Sequence, residues 1–134
     1  MLLAEDNRVN LKLAHRLLEG LGCVVVDAQN GREALNHLQS QTFDIVFMDC
    51  EMPEVNGFEA TAEVRRLEAQ GALPHQHAQR LPIVALTANV GAGHRTRCLQ
   101  VGMDDHVTKP VSANDLTKAI RRWAVRAADP RTSF

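Results

Sequence analysis

The chain has 134 residues, 45% of them apolar and 23% charged, with a net charge of −1 at pH 7. That length suits one domain able to bury roughly two thirds of its surface. A charge so near zero gives no field to draw in nucleic acid or an anionic membrane, and no apolar run is long enough to span a bilayer.

In chain order, residues 1–4 read as a strand with almost no lead-in, so the domain is expected to be part of something longer. No signal peptide is legible ahead of it. Asp6 and Asn7 are good N-caps for the helix that follows. There Leu11, Ala14, Leu17, Leu18 and Leu21 keep helical spacing and form the core stripe, with Val9 and Leu13 at or beyond its edge. Gly20 and Gly22 bracket the helix end. Residues 23–26 are β-branched enough for a second strand. Asn30-Gly31 then turns the chain into a short helix carrying Ala34, Leu35 and Leu38.

The run 45–48 is apolar throughout and ends abruptly in Asp49, as a strand covered on both faces of a parallel sheet does. Pro53 and Gly57 keep the following loop out of helix. A helix from near Gly57 buries Ala60, Val64 and Leu67, and residues 69–80 form a long exposed loop without periodicity. In that loop His75 and His77 lack companions for a zinc site and read as solvated. A fourth strand opens at Pro82 and ends at Thr87. The helix over 91–101 carries two glycines in its first turn, each costing about 1 kcal/mol relative to Ala, and is expected to be the least rigid. Residues 105–108 are a fifth strand, broken by Lys109-Pro110. Ser112 to Asp115 is capping-box-like. The last helix puts Leu116, Ala119, Ile120 and Trp123 on one face, its basic residues read as a solvated face, and residues 127–134 form a flexible tail behind a domain spanning 1–126. Cys23, Cys50 and Cys98 are odd in number and lack a CxxC spacing, which fits reduced thiols in a cytoplasm.

Five βα units imply a parallel sheet with right-handed crossovers. Ligands of such sheets sit beyond the carboxyl ends of the strands. Glu5, Asp6, Asp49, Thr87 and Lys109 all fall there. Singly, Asp6 reads as a cap, Asp49 as a turn residue, Thr87 as a strand residue and Lys109 as a surface lysine. Together they describe an acidic site that suits Mg²⁺, a hard cation that takes few protein oxygens and keeps several waters. Asp49 is placed to be a nucleophile forming an aspartyl phosphate, with Thr87 able to donate to a phosphoryl oxygen and Lys109 offsetting the charge left over.

The motifs Ala4-Glu5-Asp6-Asn7, Met48-Asp49-Cys50-Glu51-Met52-Pro53 with Gly57, Ala85-Leu86-Thr87-Ala88-Asn89, Gly102-Met103-Asp104 and Lys109-Pro110 resemble the receiver domain of two-component response regulators. Within that family the chain is most like the receivers of hybrid sensor histidine kinases. The resemblance implies an α/β fold, a doubly wound five-stranded parallel sheet in the order 2-1-3-4-5. It implies Asp49 as phosphoacceptor and Mg²⁺ held by Asp6, Asp49 and the backbone carbonyl of Glu51, with Glu5 acting through water. Thr87 and Lys109 would contact the phosphoryl group. His106 stands where the family has its switch aromatic, and Glu51 and Asn89 where dephosphorylation is tuned. The implied partners are a histidine kinase or a histidine phosphotransfer domain. Val9 and Leu13, an apolar pair at the edge of the first helix's core stripe and close to Asp6, suit docking of a helix that presents a phosphohistidine, and neither nucleic acid nor membrane contact by this domain is expected. The domain is expected not to be an enzyme beyond self-phosphorylation from small donors and autodephosphorylation.

Two rival readings are weaker. An Asp-nucleophile phosphatase of the haloacid dehalogenase type needs a second Asp two residues on, where Glu51 stands, and a cap that no segment supplies. A degenerate receiver that only binds protein is opposed by the full set of acids, Thr87 and Lys109.

Overall fold

Five short apolar runs pair side by side into one sheet. The computed structural model describes residues 1–74, 80–88 and 91–124. Strands β1 (Leu2–Ala4), β2 (Val26–Ala28), β3 (Val46–Asp49), β4 (Ile83–Thr87) and β5 (Asp105–Thr108) lie in the order β2-β1-β3-β4-β5, every pair parallel. Between and after them run α1 (Arg8–Gly20), α2 (Gly31–Ser40), α3 (Gly57–Ala69), α4 (Ala92–Val101) and α5 (Ala113–Ala119), the last continuing into a π-helical turn at Ile120–Ala124. This is the parallel sheet that the alternation of elements implies, in the doubly wound order that the resemblance implies. The expected loop histidines His75 and His77, Asn89 and the tail over 127–134 lie outside the described residues.

Strand side chains alternate between two cores, as the period of two requires. Leu2, Val46, Met48, Ile83 and Ala85 pack with α2, α3 and α4. Leu3, Phe47, Val84, Leu86 and Val107 pack with α1 and α5. Phe47 and Leu116 are fully buried, and burial of each such side chain contributes about 1.5–3 kcal/mol. Ala60, Val64 and Leu67 are buried on α3 as their spacing requires.

Two expectations shift. The second strand is not 23–26 but Val26–Ala28. With β1 only three residues long, the edge ladder has three positions, Leu2↔Val26 to Ala4↔Ala28. Cys23 and Val25 pack beside α1 and α5 instead, and Val24 is exposed. Leu21 is likewise no part of the core stripe, being 40% exposed. It is the C-cap of α1, where helical spacing no longer governs direction.

The register brings the strand ends level. Ala4 pairs with Ala28 and Met48, Asp49 with Leu86, and Thr87 with Thr108. Residues 5–6, 49, 87 and 109 therefore leave the sheet along one edge. At the opposite edge Asp104 accepts from Arg65 (2.9 Å), Arg80 (3.0 Å) and the Ile83 amide (2.9 Å), stapling α3 to the start of β4.

The loop from Cys50 to Asn56 is pressed between two glycines. The Gly57 amide donates to the Cys50 carbonyl at 3.0 Å and that of Gly31 to the Val55 carbonyl at 2.9 Å. A Cβ on Gly57 would lie 2.1 Å from the Asp49 carbonyl oxygen, and one on Gly31 would lie 2.2 Å from that of Val55. Backbone, not a pliant side chain, occupies that space. Gly57→Ala is therefore expected to destabilise the domain by about 1–3 kcal/mol, the usual cost of overpacking, as measured by urea unfolding. An unchanged midpoint would contradict this close approach.

Candidate functional site

Each acid reaches the site through local chemistry. Of the two candidate caps, Asn7 is the one used. Its side chain accepts from the amides of Val9 and Asn10 at 3.0 and 3.1 Å, which starts α1 and leaves Asp6 exposed at the sheet edge. Glu5 is only 1% exposed and Asp49 3%. Carboxylate oxygens of Glu5, Asp6 and Asp49 all lie within 4.8 Å of one another.

Lys109 answers the two buried acids. Its Nζ sits 3.0 Å from Glu5 Oε1 and 3.0 Å from Asp49 Oδ1. The backbone carrying it is held by a bond from the Lys109 amide to the Thr87 carbonyl, 2.8 Å, and the Lys109–Pro110 peptide is cis. Glu5 Oε2 also accepts from the Asn7 amide at 3.1 Å, and Asp49 Oδ1 from the Glu51 amide at 3.1 Å. Burial pulls the Lys109 pKa down, but Glu5 and Asp49 outweigh it and the net shift is upward. The ammonium is thus firmly charged.

Asp49 fares worse. Burial first, and then the neighbouring Glu5, push its carboxyl up to about 7, against the opposing pull of the Glu51 amide and Lys109. Three carboxylates face one ammonium, an imbalance that one divalent cation would cancel. The donors are all oxygens, which fits Mg²⁺, a cation that dehydrates reluctantly and needs few protein ligands. Both Glu5 oxygens are engaged, by Lys109 and by the Asn7 amide, whereas both bonds to Asp49 fall on Oδ1, so Asp6 and Asp49 are the carboxylates suited to hold it.

The structure thus brings together Glu5, Asp6, Asp49 and Lys109, with the Glu51 backbone against the Asp49 carboxylate. Thr87, 4% exposed, ends β4 beside β3. Its Oγ1 lies 2.8 Å from His94 Nε2 on α4, a contact that no motif along the chain signals. His106 pairs with Ala85, two positions back along the ladder from Thr87, and is half-buried. Val9 and Leu13 are 75% and 42% exposed on α1, beyond Asp6. Sequence reading also missed that Cys50, the residue after Asp49, meets Cys98 and His94 of α4. The i, i+4 spacing of His94 and Cys98 was the available signal.

The pH dependence of stability follows from Asp49. In an unfolded chain an Asp ionises near pH 3.9, whereas in the cation-free fold Asp49 does so at about 7. Between these values the unfolded chain releases a proton that the folded chain keeps, so stability falls as pH rises through that window and stays lost above it. An amide at position 49 has nothing to ionise. In EDTA, Asp49→Asn is expected to be more stable than the parent by roughly 2–4 kcal/mol at about pH 8, and by almost nothing at about pH 4. Urea titrations at both pH values measure this, and an equal difference at the two would contradict the charge argument.

Comparison with known proteins agrees with the fold. The response regulator receiver domain pattern matches residues 1–121. The sensor histidine kinase GacS of Pseudomonas protegens is 41% identical over 123 residues, covering 92% of this chain and 13% of the kinase. The hybrid signal transduction histidine kinase B of Dictyostelium discoideum is 41% identical over 119 residues, covering 87% and 6%. The chain thus spans only a small part of these curated relatives. Among solved structures, the receiver domain of a Pseudomonas aeruginosa PAO1 sensor histidine kinase, with a magnesium ion coordinated in its active site cleft, superposes with a TM-score of 0.79 at 36% identity, over 92% of this chain and 94% of that one. The Saccharomyces cerevisiae Ssk1 receiver domain, co-crystallised with the histidine phosphotransfer protein Ypd1, gives 0.86 at 32% identity, over 96% and 91%. With its sheet order, its acidic edge and this family match, the chain belongs to the response regulator receiver domains of two-component signalling.

Proposed function

We propose that this receiver domain is a phosphoacceptor in a phosphorelay, with Asp49 taking a phosphoryl group from a phosphohistidine partner. The observation that carries the reading is the nearly buried Asp49 carboxylate, set against Lys109 at 3.0 Å and within reach of Asp6 and Glu5. Asp49 Oδ1 already accepts from Lys109 and from the Glu51 amide, so Oδ2 is the oxygen assigned to attack. The new Oδ2–P bond forms as the P–N bond to the partner imidazole breaks, and the product is an acyl phosphate. Asp6, Asp49 and the Glu51 backbone carbonyl would hold Mg²⁺, with Glu5 acting through water. When bound, the ion supplies charge neutralisation for the phosphoryl oxygens and the crowded acids. Lys109 keeps the remaining charge balanced, and Thr87 offers its hydroxyl to a phosphoryl oxygen.

That last contact has a consequence for α4. To reach a phosphoryl oxygen, Thr87 Oγ1 must reorganise its bond with His94, and α4 is poorly anchored. Its N-cap is Gly91, which has no side chain to cap with, and Cys98 is its one buried residue. Phosphorylation would be read out through α4, with half-buried His106 on the adjacent strand adjusting beside it.

The partner reading rests on α1. Val9 and Leu13 are large apolar side chains left exposed next to the acids, which suits docking of a helix presenting a phosphohistidine. The likeness to a receiver crystallised with a histidine phosphotransfer protein supports that class of partner, and the likeness to hybrid kinases supports a kinase histidine as donor. Among the described residues no helix is long and apolar enough to cross a membrane.

One experiment with two donors tests both parts. With acetyl phosphate and Mg²⁺, intact-mass measurement is expected to show a single phosphoryl adduct, absent in EDTA and absent from Asp49→Asn. With a phosphorylated histidine phosphotransfer protein as donor, Leu13→Glu is expected to slow transfer by about tenfold or more, the equivalent of about 1.4 kcal/mol of docking energy, while acetyl phosphate labelling is unchanged. An adduct that survives Asp49→Asn contradicts the phosphoacceptor assignment. Equal slowing with both donors, or with neither, contradicts the docking face alone.

A further inference from the structure

We propose that Cys50, Cys98 and His94 form a second metal site, for a thiolate-binding ion such as Zn²⁺, separate from the acidic site and not dependent on its phosphoacceptor role. The three residues come from two elements. Cys50 leaves the end of β3 directly after Asp49, while His94 and Cys98 lie one turn apart on α4. One donor atom from each, two sulfurs and an imidazole nitrogen, all lie within 4.8 Å of one another. Tetrahedral zinc, with Zn–S near 2.3 Å and Zn–N near 2.0–2.1 Å, needs such donors roughly 3.5–3.8 Å apart. A closing movement of about 1 Å supplies the difference.

The element that would move is the one least fixed. The α4 N-cap is a glycine, which has no side chain to cap with, and among the described residues no heavy atom outside that helix's own backbone lies within 4 Å of where a Cβ on Gly93 would sit. His94 is also oriented from outside the cluster. Its Nε2 meets Thr87 Oγ1 at 2.8 Å and its ring meets Phe58 edge-on at 5.5 Å. Metal-binding imidazoles are commonly held by a partner of this kind. A cleft of about 230 Å³ lined by His94, Cys98, Met103 and His106 opens beside two of the three donors.

Ligand chemistry separates the two sites. Sulfur and imidazole select zinc and its neighbours, whereas the oxygen-only cluster of Glu5, Asp6 and Asp49 selects magnesium. On binding, the thiol protons pass to solvent and the two sulfurs coordinate as thiolates. The ion would then tie the residue after Asp49 to the helix whose His94 bonds Thr87, so metal occupancy and α4 position become linked.

Cobalt(II) is the probe, titrated into the whole chain kept reduced by a phosphine without added Mg²⁺. The expected result is a near-ultraviolet thiolate-to-cobalt charge-transfer band that saturates at one equivalent and is bleached by equimolar Zn²⁺. Cys98→Ser is expected to abolish the band. His94→Gln, at a half-buried position that leaves both thiols in place, is expected to weaken cobalt binding by about tenfold or more, since losing even an outer partner of a ligand costs that much. Asp6→Ala, in the acidic site, is expected to leave the band intact. A wild-type protein without the band overturns the proposal. So does a band that survives both Cys98→Ser and His94→Gln, or one that Asp6→Ala removes.

Discussion

Lys109 has two buried carboxylates to neutralise and one charge to do it with. Its ammonium stands 3.0 Å from Glu5 and from Asp49, both almost sealed from water. Burying ionised groups is costly unless each is paired, and here Asp49 and exposed Asp6 remain short of positive charge. Much of the architecture serves this arrangement. The short β1 ladder sets Glu5 and Asp6 level with the end of β3, the Thr87 carbonyl holds the Lys109 amide, and Gly57 lets α3 start against the Asp49 carbonyl. A site built this way keeps a standing affinity for a divalent cation and, with it, for the oxygens of a phosphoryl group.

The two sides of this site differ in how firmly they are held. On the α1 side, Asn7 caps the helix with two bonds, and Leu11, Ala14 and Leu18 anchor it to the sheet. On the α4 side, the helix starts at a glycine, which has no side chain to cap with, and Cys98 is its one buried residue. The hydroxyl at the end of β4 bonds into that softer helix through His94. Elements that respond to a ligand come from the weakly held end of a structure's stability range, and α4 fits that description. A firm α1 beside exposed Val9 and Leu13 suits the opposite task, presenting a fixed face to a partner.

Most of this was legible in the sequence because the signals were redundant. Alternating strand and helix patterns imply the sheet, and the position of Asp49, Thr87 and Lys109 after apolar runs implies a shared edge. What the sequence withheld depended on tertiary geometry. The placement of β2 at Val26–Ala28 follows from the length of β1, not from the β-branched run before it. Leu21 keeps helical spacing but lies past the helix end. Neither the fit of Gly31 against Val55 nor the meeting of Cys50 with His94 and Cys98 can be read along the chain, since each joins segments brought together only by folding. The choice of Asn7 over Asp6 as cap was open in the sequence. Its resolution matters, because it leaves the Asp6 carboxylate for the site.

Asp49 sits in a place short of positive charge until a divalent cation arrives. A ¹³C NMR titration of the Asp49 carboxyl carbon measures this directly. In EDTA the resonance is expected to titrate at about 7, and with saturating Mg²⁺ to remain that of an ionised carboxylate down to about pH 5 or below. A cation-free Asp49 that titrates near the ordinary carboxylate value of about 3.9, with no change on adding Mg²⁺, would contradict the account.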